Sequence, residues 1–380
     1  VYTLPDVLHR AYGGKVAVVG AVVIVMAWCG VVAAQMVAGA LLLESLFPVG
    51  FEGALLTVAF VFILYTLWGG QLSVVRTDSW QILLFIGAIL ATLALVLRAG
   101  LGSGTLLEGV PSDHLSFPSS GTFGWYQVVV FYPLIVGMPY LVGPDIYSRI
   151  FCARDSASAR NATLLAALAV IPLSFLLATL GLLLFSLFPG LPPETAFPHA
   201  LSELAPVGLK GAIVVGVLGA IMSSADTTLI SASTILSLNV VTPLLQMQED
   251  RRLLLTRWFV VILGAVAWGL ASFQQGIISS LLLAYTVFVG GVALPTLGSF
   301  WRERLGLTST GALWAVVLGG STAVLGEFRD GALLTKITGK GGADFLGSVL
   351  GPEYGSLLPL LVSSCALLGV SWLFRGKAKS

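Results

Sequence analysis

The stretch Gly219-Ala220-Ile221-Met222-Ser223-Ser224-Ala225-Asp226-Thr227-Thr228 places a polar cluster inside a long apolar segment. Asp226 is the only charged residue between positions 211 and 241. A carboxylate at mid-bilayer depth is costly and usually marks an ion or substrate path. Hydroxyl, carboxylate and carbonyl oxygens are the ligands of small hard cations. The stretch therefore predicts a membrane-spanning helix with a cation site formed by Ser223, Ser224, Asp226 and Thr227. The alternative is that these hydroxyls bond only to their own helix carbonyls.

The composition is typical of an integral membrane protein. Hydrophobic residues make up 57% of the 380 residues and charged residues 10%, against about 25% charged in an ordinary soluble domain. The mean hydropathy is +0.98 and the formal net charge is +1. The sequence has no phosphate-binding loop, dinucleotide fingerprint, zinc-ligand spacing or basic patch for nucleic acid. We therefore expect an all-α protein of the plasma membrane, with no organic cofactor, no nucleic-acid partner and no catalytic residues.

Apolar runs of spanning length predict ten transmembrane helices in a single domain that covers residues 1–380. Their predicted limits are 16–43, 53–70, 80–97, 124–148, 161–188, 207–241, 256–273, 277–299, 311–326 and 355–374. With the first segment inside the cell, the segments assigned to the cytoplasm carry 14 Arg and Lys and the outside segments carry 5. This bias follows the positive-inside rule and predicts that both ends of the chain are cytoplasmic.

The fourth predicted helix contains three prolines and two glycines between positions 133 and 144. Proline removes a helix hydrogen bond and its ring clashes with the preceding turn, so we expect regular geometry to be lost in this interval. A discontinuous helix near the midplane is the usual sign of a transporter binding site. Its aromatic residues Phe131, Tyr132 and Tyr140 are then candidates to face a substrate. The alternative is a proline kink that serves packing alone.

Asp78 is a second acidic residue close to a predicted span, at the start of the third helix. It could stabilise the helix dipole as an N-terminal carboxylate, or it could add a second carboxylate to the region of Asp226. The spacing leaves both open. We expect the helix that carries Ser223 and Ser224 to pack beside the third helix, with Asp78 within reach of Asp226 or Thr227.

Several stretches resemble the sodium:solute symporter family, which includes sodium-coupled carriers of proline, pantothenate, sugars and sialic acid. They are Thr3-Leu4-Pro5-Asp6-Val7-Leu8, Tyr65-Thr66-Leu67-Trp68-Gly69-Gly70 running into Thr77-Asp78-Ser79-Trp80-Gln81, and Asp145-Ile146-Tyr147-Ser148-Arg149. The most specific match is 220–233, with its serine pair, and the resemblance extends from residue 3 to about residue 300.

The resemblance implies a LeuT-type fold, in which two inverted five-helix repeats are joined by peripheral helices. It implies that three of the family's thirteen helices would precede the ten predicted here. One of those three would supply backbone carbonyls to the main sodium site.

For sodium, the resemblance implies a main site made by the carbonyl of Ala220 and the hydroxyls of Ser223 and Ser224. A second sodium site, present in some members of the family, would correspond to Asp78, Ser223, Asp226 and Thr227. Asp226 stands where some relatives have serine, which would alter the number of cations or admit a proton.

For substrate, the resemblance points to the unwound part of the fourth helix and to the first helix. With the aromatic candidate included, the expected substrate-facing residues are Trp28, Gln35, Phe131, Val136, Gly137 and Tyr140. The polar residues that sugar carriers use appear here as Val136 and Val170, which argues against a sugar.

The sequence thus favours a symporter that couples sodium entry to the import of a small organic solute, such as an amino acid or a carboxylate, by alternating access. Sodium is the only coupling ion implied. Two alternatives remain: a proton-coupled transporter of the same fold, with Asp226 or Asp78 as proton carrier, and a transporter-like sensor module of a membrane receptor.

Overall fold

The computed structural model describes residues 3–104, 106–107, 110–116, 123–245, 249–273, 276–327 and 354–374. In these ranges the regular secondary structure is entirely helical. The helices are α1 (Leu4–Tyr12), α2 (Gly14–Leu46), α3 (Phe51–Gly69), α4 (Arg76–Gly102), α5 (Gln127–Phe151), α6 (Ser156–Leu187), α7 (Pro193–Leu204), α8 (Val207–Leu245), α9 (Glu249–Phe273), α10 (Ile277–Ser299), α11 (Ser309–Glu327) and α12 (Tyr354–Phe374). One-turn helices lie at Ser112–Leu115 and Arg302–Leu305.

Within the described ranges, nine helices are long and apolar enough to cross a membrane. Ten spans are predicted from the sequence. Nine of them coincide with these helices, and the ninth predicted span, 311–326, coincides with α11, whose apolar part, Ser309–Leu325, is shorter than the others. The predicted limits differ from the observed helices mainly at their ends, where hydropathy does not mark the helix boundary. The connection between α6 and α8 contains the short helix α7.

Helices α3 and α4 are joined without a break in helical assignment, from Phe51 to Ser103. The run is nevertheless not straight. The hydroxyls of Tyr65 and Thr77 are 2.6 Å apart, although a straight helix would separate residues twelve positions apart by about 18 Å along its axis. The chain therefore turns sharply between these residues, as the two separate predicted spans require.

Helix α5 loses regular geometry, as predicted from its prolines. Its backbone is π-helical over Gln127–Phe131 and Pro133–Gly137, then α-helical over Met138–Val142. Gly143 is extended, with φ −67° and ψ 136°, and a new helical segment begins at Pro144. A Cβ atom at Gly143 would overlap the carbonyl oxygen of Pro139, so the break is closed too tightly for any side chain.

Helix α2 lies at the centre of the bundle and packs against α3, α8, α9, α10 and α11. Small residues let neighbouring helices approach it, and most of its span is buried.

Helix α6 is much less buried than α2, and most of its span is exposed. The side chain of Asp155 caps the start of α6 by accepting the Ser158 N–H at 2.7 Å. That hydrogen bond lowers the pKa of Asp155, so the cap is present at neutral pH and is lost as the pH falls through the lowered value.

The amphipathic helix α1 is fastened to α8 by a polar network. The Thr3 hydroxyl donates to Asn239 Oδ1 at 2.8 Å, and Asn239 Nδ2 donates to Asp6 Oδ1 at 2.7 Å. Asp6 also accepts the Thr3 N–H at 3.2 Å, which closes the capping box of α1. Asn239 is thus the residue through which α8 holds the start of α1.

At the other end of α1, burial raises the pKa of the Tyr12 hydroxyl to about 12, although the positive charge of Arg302 acts in the opposite direction.

We expect the change Asn239→Leu to release the start of α1. The substitution removes the acceptor of the Thr3 hydroxyl and the amide donor to Asp6, a loss typically worth about 1–3 kcal/mol for partly buried polar groups. Hydrogen–deuterium exchange should become faster in α1 than in the wild type, while exchange in α10 should not change. The matched control is Asn161→Leu, on the exposed face of α6. Equal exchange of α1 in both variants would show that the network does not hold this helix.

Candidate functional site

A cavity of about 270 Å³ lies between α2, α5, α8 and α10. Its polar lining comes from all four helices: Trp28, Gln35, Tyr140, Asp145, Arg149, Ser224, Thr228 and Tyr285. The break in α5 positions this lining, because Tyr140 precedes Gly143 while Asp145 and Arg149 lie in the segment that begins after it. The cavity thus joins a broken helix to the polar cluster of α8, the arrangement typical of transporter sites.

Three of the six residues expected to face a substrate line this cavity: Trp28, Gln35 and Tyr140. The other three lie on α5 away from its described lining. Phe131 is buried and packs edge-on against Tyr132, with ring centroids 5.3 Å apart. Val136 and Gly137 are half-buried within and at the end of the second π-helical segment. They shape the backbone that precedes Tyr140.

The side chains around the cavity hold one another in place. The indole of Trp28 lies against the carboxylate of Asp145 and meets the ring of Phe288 edge-on, with centroids 4.7 Å apart. The side chains of Tyr140 and Tyr285 interact through their hydroxyls. The aromatic side chains of the cavity therefore contact one another and Asp145 without a ligand.

A second polar cluster lies where α8 meets α4. The Ser223 hydroxyl donates to Asp78 Oδ1 at 2.6 Å. Arg149 Nη2 lies 3.5 Å from Asp78 Oδ2 and donates to the Thr227 hydroxyl at 2.9 Å. The Thr227 hydroxyl in turn donates to the Ser223 carbonyl at 3.0 Å. Arg149 therefore borders the cavity and also bridges α4 to α8.

The prediction that α8 packs beside α4 is confirmed. A Cβ atom at Gly216 would lie 2.6 Å from the Leu84 carbonyl oxygen, so the two backbones are in close contact. Asp78 reaches Ser223 directly and Thr227 through Arg149.

Asp226 points toward α3. Its side chain is fully buried, and its Oδ1 accepts a 2.6 Å hydrogen bond from the Thr66 hydroxyl. The other carboxylate oxygen, Oδ2, has no hydrogen-bond partner among the described residues. The Thr66 hydroxyl also lies 2.8 Å from the Phe62 carbonyl, so its single proton has two acceptors.

The polar residues of α8 thus face three directions. Ser224 is exposed to the cavity, Ser223 and Thr227 turn toward Asp78 and Arg149, and Asp226 is buried against Thr66. Ala220 lies one turn before the serine pair, in a half-buried position. The alternative, in which these hydroxyls bond to the carbonyls of their own helix, is correct for two of them. Thr227 and Thr228 each donate to the carbonyl four residues earlier.

Sequence reasoning missed Arg149, Asp145, Tyr285 and Thr66 as site residues. The sequence did contain a signal for Arg149 and Asp145. Asp145 and Arg149 follow the proline-rich interval at a spacing of four, which places both on one face of a helix. Thr66 and Tyr285 gave none, because single polar residues in apolar helices usually bond to their own backbone.

The family model of the sodium:solute symporter family matches residues 1–319. The chain belongs to the sodium:solute symporter family. Among curated members it is 27% identical to sodium/myo-inositol cotransporter 2 of Oryctolagus cuniculus, over 84% of this chain and 54% of the relative. It is 25% identical to a sodium/mannose cotransporter of Bos taurus, with 86% and 63% covered. It is 26% identical to the sodium/proline symporter of Escherichia coli, with 85% and 67% covered.

A solved structure shows the fold of this family member. A substrate-bound, outward-open Na⁺-coupled sialic acid symporter, whose structure revealed a novel Na⁺ site, superimposes with a TM-score of 0.72 at 15% identity. The match covers 98% of this chain and 77% of that one. The chain therefore has the LeuT-type fold, as the family resemblance implies. It spans 54–65% of the length of the first three curated relatives that it matches.

Proposed function

We propose that this protein is a sodium-coupled secondary active transporter that imports a small organic solute, such as an amino acid or a carboxylate, by alternating access. The observation that carries the proposal is that Ser224 of α8 and the broken helix α5 face one cavity. A sodium ion at Ser224 would lie beside a solute at Tyr140 and Trp28. Its charge and its occupation of the cavity wall would then affect solute binding directly.

The main sodium site in this proposal uses the carbonyl of Ala220 and the hydroxyls of Ser223 and Ser224. Donation by Ser223 to Asp78 leaves its lone pairs available to a cation. A second sodium at Asp78, Ser223, Asp226 and Thr227 would compete with Arg149, whose guanidinium already lies between Asp78 and Thr227. Solute contacts come from Trp28, Gln35 and Tyr140, with Phe131, Val136 and Gly137 supporting the α5 backbone.

We expect sodium to raise the apparent melting temperature of the purified protein and Ser224→Ala to reduce that effect. Loss of one ligand of the ion should weaken apparent sodium affinity by about tenfold, which corresponds to about 1.4 kcal/mol. The apparent sodium affinity is measured by thermal shift, with NaCl titrated against a KCl background. The control is Ser174→Ala, which removes an outward-facing hydroxyl that bonds the Val170 carbonyl.

Linkage supplies a second readout. If sodium raises solute affinity, solute must raise sodium affinity by the same factor, typically about 5–150-fold. Ser224→Ala should therefore weaken solute binding only through its effect on sodium. Identical NaCl titrations for wild type and Ser224→Ala would contradict the assignment of Ser224 as a ligand.

A proton-coupled cycle is the second candidate, and Asp226 is the observation that favours it. If Thr66 donates its one proton to Phe62, the 2.6 Å contact with Asp226 requires a proton on the carboxyl group. A protonated carboxyl also avoids the cost of an unpaired buried charge.

The variant Asp226→Asn separates the two candidates, because it keeps the shape and removes the ionisable group. In a proton carrier the substitution should abolish the pH dependence of uptake. In a sodium carrier it should lower sodium affinity and leave that dependence largely unchanged. The measurement is uptake into sodium-free proteoliposomes driven by a pH gradient. Accumulation by the wild type under those conditions would replace sodium coupling with proton coupling.

A further inference from the structure

The cavity between α2, α5, α8 and α10 is lined by the carboxylate of Asp145, which forms no ion pair with the described residues. Its charged lining residues in the described part of the chain are Asp145 and Arg149. Arg149 attracts Asp145 along their shared helix, but its Nη2 is committed to Asp78 and Thr227. Among the described residues, Asp145 has no cationic group within 4 Å. Asp78, Arg149 and Asp145 therefore carry two negative charges and one positive charge between them, so this group has one surplus negative charge beside the cavity.

The contacts of Asp145 hold its carboxylate in place without neutralising it. Its carboxylate lies close to the backbone N–H groups of Asp145 and Ile146 and to the indole of Trp28, and all three favour its charged form. The two backbone groups belong to the start of its own helical segment. Trp28 comes from another helix and places the carboxylate at the cavity wall.

A carboxylate in such surroundings is costly unless a cation meets it. The walls beside it suit an organic cation. Trp28, Tyr140 and Tyr285 line the same space, where Trp28 interacts with Asp145 and the two tyrosines interact with each other. Aromatic faces attract ammonium groups electrostatically, and an anionic group beside such faces strengthens that attraction.

We propose that this cavity recognises its solute through an ammonium group, with Asp145 as the counter-ion and Trp28, Tyr140 and Tyr285 as the aromatic walls. This rests on the proposed function, in which the cavity is the transport site. It narrows the solute to a small amine or amino acid. The volume of about 270 Å³ lies below the range of about 300–1,000 Å³ typical of sites for drug-sized ligands. The relatives of this chain include cotransporters of myo-inositol and mannose as well as a proline symporter, so the inference excludes part of that range of solutes.

The first test is a binding panel on the wild-type protein in NaCl, read by thermal shift. Each small amine or amino acid is paired with its nitrogen-free isostere, for example L-proline with cyclopentanecarboxylate and prolinol with cyclopentanemethanol, and myo-inositol and mannose are the neutral solutes. Stabilisation should be confined to nitrogen-bearing members. A nitrogen-free member that stabilises as well as its partner, a hit with myo-inositol or mannose, or no hit in the panel would overturn the proposal.

The second test is Asp145→Asn, measured with the amine or amino acid that binds the wild type. Its affinity should fall by about tenfold or more, while stabilisation by sodium alone should persist and report that the variant is folded. The control is Asp155→Asn, which removes an exposed carboxylate while an amide can still cap α6. Unchanged affinity in Asp145→Asn would remove Asp145 as counter-ion. If that variant fails to fold, Asp145→Glu keeps the charge, and the wild-type panel still decides.

Failure of the proposed function has a different outcome. If the identified amine binds with the same affinity in KCl as in NaCl, and a sodium gradient does not drive its uptake, sodium coupling fails while ammonium recognition stands.

Discussion

Uptake by the Gly143→Ala variant is expected to be largely lost. A Cβ atom at this position would overlap the Pro139 carbonyl oxygen and lie 2.9 Å from Asp145 Oδ1. Neither the carbonyl nor the helix that begins at Pro144 can yield without moving Tyr140 or Asp145, which line the cavity. Overpacking of this kind costs about 1–3 kcal/mol, which corresponds to about 5- to 150-fold in a binding equilibrium.

The measurement is solute uptake by proteoliposomes, with the melting temperature recorded on the same preparation. The control is Gly181→Ala on α6, where an added Cβ would meet open space, and this variant should behave as the wild type. Wild-type uptake by Gly143→Ala would mean that the break in α5 tolerates a side chain and does not set the geometry of the cavity.

Replacing Arg149 with glutamine is expected to lower both stability and transport. The change leaves Asp78 without its ion pair and Thr227 without its donor. The side chain of Arg149 is 40% exposed and that of Asp78 is 21% exposed, so solvent screening limits the loss to about 1–2 kcal/mol. The melting temperature should fall by about 2–4 °C for each kcal/mol.

A double-mutant cycle identifies the cause of this loss. Asp78→Asn combined with Arg149→Gln should be less destabilised than the sum of the two single changes, because the second change removes a charge that the first has already left unpaired. Arg154→Gln, an exposed cation in the segment after α5, is the matched control. Strict additivity would show that the two charges do not interact in the folded protein.

The sequence could predict features whose physical cause is local along the chain. Hydropathy marks the spans because an unpaired polar group in hydrocarbon is costly, whatever its neighbours are. The break in α5 is equally local, since each proline removes a backbone donor wherever it stands. The polar cluster on α8 could also be recognised from the sequence, because Asp226 is the only charged residue between positions 211 and 241.

The different directions in which the polar residues of α8 face could not be predicted from their spacing. Successive helix residues point about 100° apart, so Ser223 and Ser224 must face different neighbours. Which neighbour each one meets depends on the packing of α8 between α4, α3 and the cavity. Ser223 meets Asp78 across 145 residues, and Asp226 meets Thr66 across 160.

The sequence by itself therefore determined that this protein is a helical membrane protein with a polar cluster on α8 and an interrupted α5. Only the tertiary structure decided that Arg149 bridges the cavity to Asp78, that Asp145 stands against Trp28, and that Asp226 is buried away from both. The reason is that hydropathy and backbone geometry are properties of each residue and its neighbours along the chain. Charge pairing depends instead on which helices pack together. That packing is set by side-chain shape over the whole bundle.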